Sequence, residues 1–253
     1  MKIGIIGKGH VGTAMSKLFV DAYIYDKNLK IGTFEEVNKS DLVFLCVPTP
    51  ENKDGSCDTS IVESLIEKLK VKTIVIRSTI YIGFTDEMIK KYNKEIIFQP
   101  EYYGETVDHP YSNLNGRSWL SFGGNTKGVN HAIEAYKTII NSNVKIHIGN
   151  AREVEFAKYM ENCFLATKVT FCNEMYDIAN SLNVDYNSSR EIWLADERIG
   201  RSHSFVFEEK RGFSGSCLPK DLHSLIQQSN SHTDLTLLKA VNEKNEIIYK
   251  NKK

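Results

Sequence analysis

The chain has 253 residues, enough for one large domain or two small ones. Charged residues make up 25% and apolar residues 41%, which excludes a disordered chain, a collagen-like repeat and a small disulfide scaffold. The 32 basic and 32 acidic side chains cancel, so no global positive field attracts nucleic acid or an anionic membrane, and we expect neither as a partner.

No apolar run approaches the ~20 residues that span a bilayer, and the glycine-broken start of the chain does not fit a signal peptide. A cytoplasmic location is therefore expected. The five cysteines are odd in number and contain no C-x-x-C pair, so we expect free thiols and no metal site. They are Cys46, Cys57, Cys163, Cys172 and Cys217.

The first 25 residues predict a βαβ unit, with a strand over 2–6, a helix over 11–20 and a strand over 22–25. Strands and helices continue to alternate as far as about residue 150. Further strands are predicted at 41–47, 73–76, 95–98, 119–122 and 145–148, and further helices at 58–70, 85–92 and 128–140. Such alternation is typical of a doubly wound α/β Rossmann fold, with a mostly parallel sheet and helices on both faces.

Beyond residue 150 the pattern becomes helical. Residues 151–182 contain neither proline nor glycine and predict one long helix, with more helices after it. We therefore predict two domains, a cofactor-binding domain over 1–150 and a helical catalytic and dimerisation domain over 151–253.

A G-x-G-x-x-G motif follows the first strand and opens the first helix, at Gly7–Gly12. Glycines allow the backbone to turn tightly and approach a pyrophosphate, whose charge meets the helix N-terminus. Asp26 ends the next strand, where a carboxylate can accept hydrogen bonds from ribose hydroxyls and repel a 2′-phosphate. The motif therefore predicts NAD rather than NADP as the cofactor.

A second group of residues predicts a reactive thiol. Small residues precede Cys217, and Pro219 suits the first position of a helix, so the thiol would lie at a positive helix end beside Lys220. Asp221 follows four residues after Cys217, about one helical turn away. Lys158 and Asn162 are also spaced i,i+4 and project from one face of the long helix, although such a pair is often only a solvated surface.

Together these motifs resemble the UDP-glucose/GDP-mannose dehydrogenase family, which oxidises a sugar C6 alcohol to a carboxylate with two NAD. The resemblance extends from residue 1 to about 245. Beyond the motifs above it includes the segments 46–50, 54–56, 78–80, 100–105, 198–200, 212–221 and 241–242.

The resemblance implies roles residue by residue. NAD contacts fall on Gly7, Lys8, Gly9, His10, Val11, Gly12, Asp26, Cys46, Val47, Pro48, Thr49, Pro50, Ser78, Thr79, Glu105 and Lys220. Substrate contacts fall on Glu101, Tyr102, Tyr103, Lys158, Asn162, Arg198, Phe213, Ser214 and Gly215. Catalytic roles fall on Thr79, Glu105, Lys158, Asn162, Cys217 and Asp221.

In the implied mechanism, a water near Asp221, Lys158 and Thr79 helps to remove the C6 hydroxyl proton during the first oxidation. Cys217 then attacks the aldehyde, and Lys158 and Asn162 stabilise the oxyanion of the thiohemiacetal. After the second oxidation, water hydrolyses the thioester with Glu105 as general base.

The sequence also departs from the family pattern. His10 and Ser214 replace the usual tyrosine and glycine, and three extra residues separate Arg198 from Cys217, so the loop 202–211 leaves substrate choice open. We expect the family's third, nucleotide-binding domain to be absent. The nucleotide would then be held by the helical domain, by a second copy or by another polypeptide.

Several functions are consistent with the sequence. The first is a nucleotide-sugar 6-dehydrogenase, with UDP-glucose as the expected substrate and a homodimer formed through the long helix. The others are a protein that binds NAD or a nucleotide sugar without catalysis, one subunit of a split enzyme, and a β-hydroxyacid dehydrogenase. Enzymes of the last class transfer one hydride and need no cysteine, so the presence of Cys217 argues against a β-hydroxyacid dehydrogenase.

Overall fold

The computed structural model describes residues 1–102 and 118–250. The chain forms two compact units. The first contains Met1–Asn52 and Cys57–Lys158, and the second contains Lys53–Ser56 and Tyr159–Lys253.

The first unit is built on one sheet. Its strands, in chain order, are β1 Ile3–Ile6, β2 Tyr23–Tyr25, β3 Leu42–Leu45, β4 Thr73–Ile76, β5 Glu95–Phe98, β6 Trp119–Gly123 and β7 Lys145–Gly149. Their order across the sheet is β2-β1-β3-β4-β5-β6-β7, and every described pair is parallel except β5 with β6. The predicted mostly parallel α/β sheet is confirmed.

Helices cover both faces of this sheet because its central strands are apolar on both sides. All residues of β1, β3 and β4 are buried. The helices of this unit are α1 His10–Leu18, α2 Phe34–Val37, α3 Ser60–Lys68, α4 Phe84–Tyr92 and α5 Thr126–Tyr136. One core cluster contains Val62 of α3 and Met88 of α4, and the other contains Met15 of α1 and Val129 of α5, so the helices form two layers.

Several helices begin or end a few residues from their predicted bounds, for local reasons. The α5 helix begins at Thr126 because the Asn125 side chain accepts the N–H of Gly128 and caps it. The α3 helix ends at Lys68 because the Lys94 ammonium binds three carbonyl oxygens at its end, those of Ile66, Glu67 and Leu69.

The second unit is helical. A 31-residue helix, α6 Ala151–Ser181, begins in the first unit and continues into the second, which confirms the predicted long helix. It is followed by α7 Tyr186–Trp193, a 3₁₀ turn at Glu208–Lys210, α8 Leu218–Ser229 and α9 Thr236–Lys250. Within the described ranges, no helix combines the length and apolarity needed to cross a bilayer.

The start of α6 is attached to α4 through a buried carboxylate. Gly83 precedes α4 with φ +99° and has no side chain to cap the helix. Glu155, which is fully buried, accepts the backbone N–H groups of Gly83 at 2.6 Å and Thr85 at 3.0 Å. Burial raises the pKa of this carboxyl, and the bonds to Thr85 and Gly83 oppose that rise. Glu155 therefore satisfies helix donors that would otherwise be buried without acceptors.

Replacing Glu155 with alanine should lower the free energy of unfolding by about 2 to 4 kcal/mol, because two buried N–H groups lose their acceptor. Glu155→Gln keeps one acceptor oxygen and should lose less. Urea unfolding followed by circular dichroism measures both. Glu67→Ala removes an exposed carboxylate of α3 and should stay within about 0.5 kcal/mol of wild type; equal stability of Glu155→Ala and wild type would contradict this role.

Candidate active site

The glycine loop after β1 has two positions at which only glycine fits. Gly7 has φ +92°, and a Cβ there would lie 2.4 Å from the carbonyl oxygen of Cys46. A Cβ on Gly12 would lie 1.8 Å from the carbonyl oxygen of Gly7. A Cβ on Gly9, in contrast, would meet no described atom within 4 Å. The fold therefore requires the first and third glycines, while the second leaves open space above the start of α1 for a ligand to approach the backbone.

Asp26 follows β2 and is held by the same loop. One of its carboxylate oxygens accepts the N–H of Lys8 at 2.7 Å, and the other accepts those of Asn28 and Leu29 at 2.9 Å. The hydrogen bond from the Leu29 N–H contributes most to holding the pKa of Asp26 below its usual range, and the other two bonds act in the same direction. The carboxylate is therefore ionised at neutral pH, and its remaining lone pairs can accept ribose hydroxyls.

A cavity of about 650 Å³ adjoins Asp26. Its lining combines apolar side chains with the polar groups at the strand ends: Ile6, Gly7, Tyr25, Asp26, Lys27, Asn28, Phe34, Val47, Pro48, Ser60, Ile61, Ser64, Leu65 and Lys68. It lies where β1 is flanked by β2 and β3, the point of a doubly wound sheet at which the chain connections diverge. An apolar cleft with one carboxylate suits the adenosine of NAD, and the glycine loop, whose Gly7 lines the cleft, suits the pyrophosphate.

The segments that follow β3 and β4 are tied together. The Ser78 hydroxyl donates to the carbonyl oxygen of Val47 at 2.6 Å, and the Thr79 carbonyl accepts the Cys57 thiol at 3.5 Å. Thr49 is buried, whereas Pro48 and Pro50 are exposed. Val47 and Pro48 line the cavity, so the structure brings part of the predicted 46–50 segment to the same cleft as Asp26.

Glu101 and Tyr102, predicted as substrate contacts, are buried within the first unit. Glu101 forms an ion pair with Arg77 and accepts the N–H of Tyr102 at 2.8 Å. The Tyr102 ring lies 4.7 Å from that of Trp119, and the Lys158 ammonium lies 4.7 Å from the centre of the Tyr102 ring. Tyr103 and Glu105 lie outside the described residues.

Three predicted residues of the second unit meet around a buried carboxylate. Asp221 is fully buried, accepts the Asn162 amide at 2.6 Å and lies 2.8 Å from the Lys220 ammonium. The Tyr159 and Ser224 hydroxyls, 3.0 Å apart, join the same two helices, α6 and α8. Asn162 and Asp221 lie on different helices, and their positions in the sequence do not predict that their side chains are in contact.

Cys217 is exposed and immediately precedes α8. Pro219 occupies the second position of this helix rather than the predicted first, because Leu218 already belongs to it. The thiol lies at a helix N-terminus, where partial positive charge favours a thiolate. Cys163, in contrast, is buried. Burial is the main reason that its pKa is raised to about 12, and the negative charge of Asp221 adds to the effect.

Two asparagines that the sequence analysis missed hold the loop before Cys217. The Asn245 amide accepts the N–H of Phe213 at 2.9 Å and donates to its carbonyl oxygen at 3.0 Å. Asn173 accepts the N–H of Gly212 at 3.1 Å and the Nε–H of Arg211 at 2.6 Å. Both are buried. An asparagine in the interior of a predicted helix, where this residue type is unfavourable, is the sequence signal that could have revealed them.

Of the other predicted substrate contacts of the second unit, Phe213 is buried, whereas Ser214, Gly215 and Arg198 are exposed. The Arg198 side chain is 88% exposed, and its guanidinium hydrogen-bonds to both carboxylate oxygens of Asp196. The Lys168 ammonium, which the sequence analysis also missed, binds the carbonyl oxygens of Ile199 at 3.0 Å and Gly200 at 2.6 Å. It thereby fixes the turn that follows Arg198.

Asp26→Asn should raise the dissociation constant of NAD about tenfold, because a neutral amide binds ribose hydroxyls more weakly than a carboxylate. The variant should also reduce the preference for NAD over NADP, since the repulsion of a 2′-phosphate is lost. Isothermal titration with each nucleotide measures both effects. Asp41→Asn changes an exposed carboxylate at the opposite end of β3 and should leave both constants unchanged. An unchanged NAD affinity in Asp26→Asn would rule out this contact.

Comparison with known families agrees with the site. The NAD binding domain of the UDP-glucose/GDP-mannose dehydrogenase family matches residues 18–107, and the family's central domain matches residues 152–247. The first match confirms NAD as the cofactor that this part of the chain is built to hold.

Curated relatives are similar over most of the chain. The UDP-glucose 6-dehydrogenase of Pseudomonas aeruginosa is 30% identical over 233 residues, which cover 83% of this chain and 49% of that protein. The Bacillus subtilis protein YtcA is 30% identical in an alignment that covers 97% of this chain and 68% of YtcA. The chain spans about half the length of the curated UDP-glucose 6-dehydrogenases that it matches.

Solved structures share the fold at lower identity. A UDP-glucose dehydrogenase from Pyrobaculum islandicum has a TM-score of 0.83 at 23% identity, covering 97% of this chain and 68% of that chain. The 3-hydroxyisobutyrate dehydrogenase of Mycobacterium tuberculosis has a TM-score of 0.69 at 17% identity, covering 96% of this chain and 91% of that chain. Domain matches, relatives and site residues agree, and the chain belongs to the UDP-glucose/GDP-mannose dehydrogenase family.

Proposed function

We propose that the protein is an NAD-dependent nucleotide-sugar 6-dehydrogenase that oxidises a C6 alcohol to the carboxylate through a covalent intermediate on Cys217. The observation that carries the proposal is the pairing, within the second unit, of an exposed thiol at a helix start with a buried Asn162–Asp221–Lys220 cluster. UDP-glucose is the proposed substrate, because curated UDP-glucose 6-dehydrogenases are among the relatives.

The chemistry needs a nucleophile that retains the aldehyde. Cys217 attacks the aldehyde carbon to form a thiohemiacetal, so the half-oxidised sugar stays attached to the protein. The glycine loop and Asp26 would hold NAD, which would supply the hydride acceptor for the two oxidation steps. Water then cleaves the thioester and restores the thiol. One alcohol, one water and two NAD⁺ yield one carboxylate, two NADH and three protons.

The polar cluster suits the oxyanion that forms beside the thiol. Asp221 orients the Asn162 amide and places a positive Lys220 ammonium within the same buried network. Donors that are already oriented stabilise a developing negative charge without reorganisation. We assign Lys158, Thr79 and Glu105 the roles that family membership implies: oxyanion stabilisation, water binding and general base catalysis.

The count of NADH distinguishes this proposal from its alternatives. The 3-hydroxyisobutyrate dehydrogenase fold spans the same two regions of the chain, and a single alcohol oxidation of that kind would yield one NADH. A binding protein would yield none. The cysteine mechanism yields two, and the product is an acid.

The purified chain, incubated with NAD and a panel of UDP- and GDP-sugars, should form two NADH per sugar consumed, with the acid identified by mass spectrometry. Cys217→Ala should abolish acid formation, because no covalent intermediate can form. Cys172→Ala removes a buried thiol of the same unit and should retain the stoichiometry. Acid formation by Cys217→Ala at the wild-type rate would refute the mechanism.

A homodimer through α6 is also part of the proposal. Five large apolar side chains, each at least 45% exposed, recur along this helix at spacings of four and seven residues and so share one face. They are Phe156, Met160, Phe164, Phe171 and Ile178. An apolar stripe about 33 Å long, as 22 residues of helix would span, favours burial against an identical stripe of a second copy.

Phe164→Glu should convert the dimer to a monomer, because it places a charge at the centre of the stripe. Light scattering and sedimentation at micromolar concentration measure the mass. Asn180→Glu places the same charge on the opposite face of α6 and should leave the dimer intact. A wild-type monomer under these conditions would count against the interface.

A further inference from the structure

We propose that Tyr102 is a positioning residue that holds the Lys158 ammonium by a cation–π contact. The proposal rests on the proposed function, in which Lys158 stabilises an oxyanion. The ammonium lies 4.7 Å from the centre of the Tyr102 ring, and both residues are only 8% exposed. A cation–π contact is strongest when it is shielded from water in this way.

The ring itself is held from three strand ends of the first unit. Trp119, the first residue of β6, packs against it with ring centres 4.7 Å apart and planes tilted by 59°. The backbone N–H of Tyr102 donates to Glu101, which follows β5, and Glu101 is paired with the buried guanidinium of Arg77, which follows β4. The position of the ring is therefore fixed by residues at the ends of the sheet strands.

A fixed aromatic ring can hold the ammonium of a catalytic lysine in one position. The lysine side chain has a flexible four-carbon stem, so a defined position must come from outside it. The face of an aromatic ring stabilises the positive charge without neutralising it, and it leaves the donors on the far side of the ammonium directed away from the ring. Tyr102 would thus keep the Lys158 ammonium in a defined position on α6, one turn before Asn162.

The test changes the electrostatic potential of the ring while keeping its shape. Phenylalanine and its mono-, di- and pentafluorinated analogues are placed at position 102 of the full chain by nonsense suppression, alongside Tyr102→Leu. Tyr102→Phe should keep kcat within about twofold. The fluorinated series should lower kcat progressively, with pentafluorophenylalanine and leucine reducing it about 10- to 100-fold at unchanged KM for NAD, as expected when a catalytic group is displaced by about 1 Å.

A second measurement does not depend on turnover. The Cε protons of Lys158 lie near the ring face and should show an upfield ring-current shift in lysine-labelled NMR spectra, assigned with Lys158→Arg. The shift should persist in Tyr102→Phe and disappear in Tyr102→Leu. Thermal melting checks that each variant is folded.

Tyr92 provides a matched control, because Lys91 and Lys94 lie 5.4 and 5.7 Å from its ring in the same unit. The same analogues at position 92 should leave kcat unchanged. A kcat that is independent of fluorination at position 102, or a wild-type Lys158 without a ring-current shift, would overturn the proposal.

If the wild-type chain oxidises no nucleotide sugar, the proposed function fails and the positioning role of Tyr102 in catalysis fails with it. A retained ring-current shift would then support the contact alone, so the two failures remain distinguishable.

Discussion

The carboxyl ends of parallel strands lie at one edge of the sheet, and this constraint decides where the first unit can carry chemistry. β1, β3 and β4 pair in parallel register and are buried on both faces, so their side chains serve mainly packing. Polar or conformationally special residues can occur only where the strands end. Gly7, Ser78 and Glu101 are all found there, each after a different strand. The glycine loop, the cavity beside Asp26 and the Arg77–Glu101 pair are consequences of that single geometric fact.

Buried charges then fix the segments that the sheet leaves free. A buried charge is costly unless it is paired and hydrogen-bonded, so each one that the fold retains restricts its partners to one arrangement. Glu155 holds the start of α4, and Asp221 holds Asn162 and Lys220. Asn173 and Asn245 act similarly on the backbone that leads to Cys217, although they are neutral. Loops whose sequence is rich in small residues are thereby held in defined positions.

The cysteines illustrate how the environment changes the protonation and accessibility of chemically identical groups. Burial raises the pKa of Cys46 and of Cys163 to about 12, so these thiols are protonated and inert at neutral pH. Cys217 is exposed and precedes a twelve-residue helix. Only this last setting combines access for a substrate with the electrostatic field of a helix N-terminus.

Local pattern was sufficient to predict the alternating elements, the long α6 helix, and the glycine loop with Asp26, because periodicity and turn chemistry involve residues close together in the chain. Helix ends were less predictable, since side chains from elsewhere, such as Lys94 at the end of α3, terminate them. The sequence by itself determined the family, the cofactor and the residue types available for catalysis. Only the tertiary structure decided which of them touch, as in Asn162 with Asp221 and Lys158 with Tyr102. Those pairs are separated by 59 and 56 residues, and no local rule links residues so far apart until packing brings their elements together.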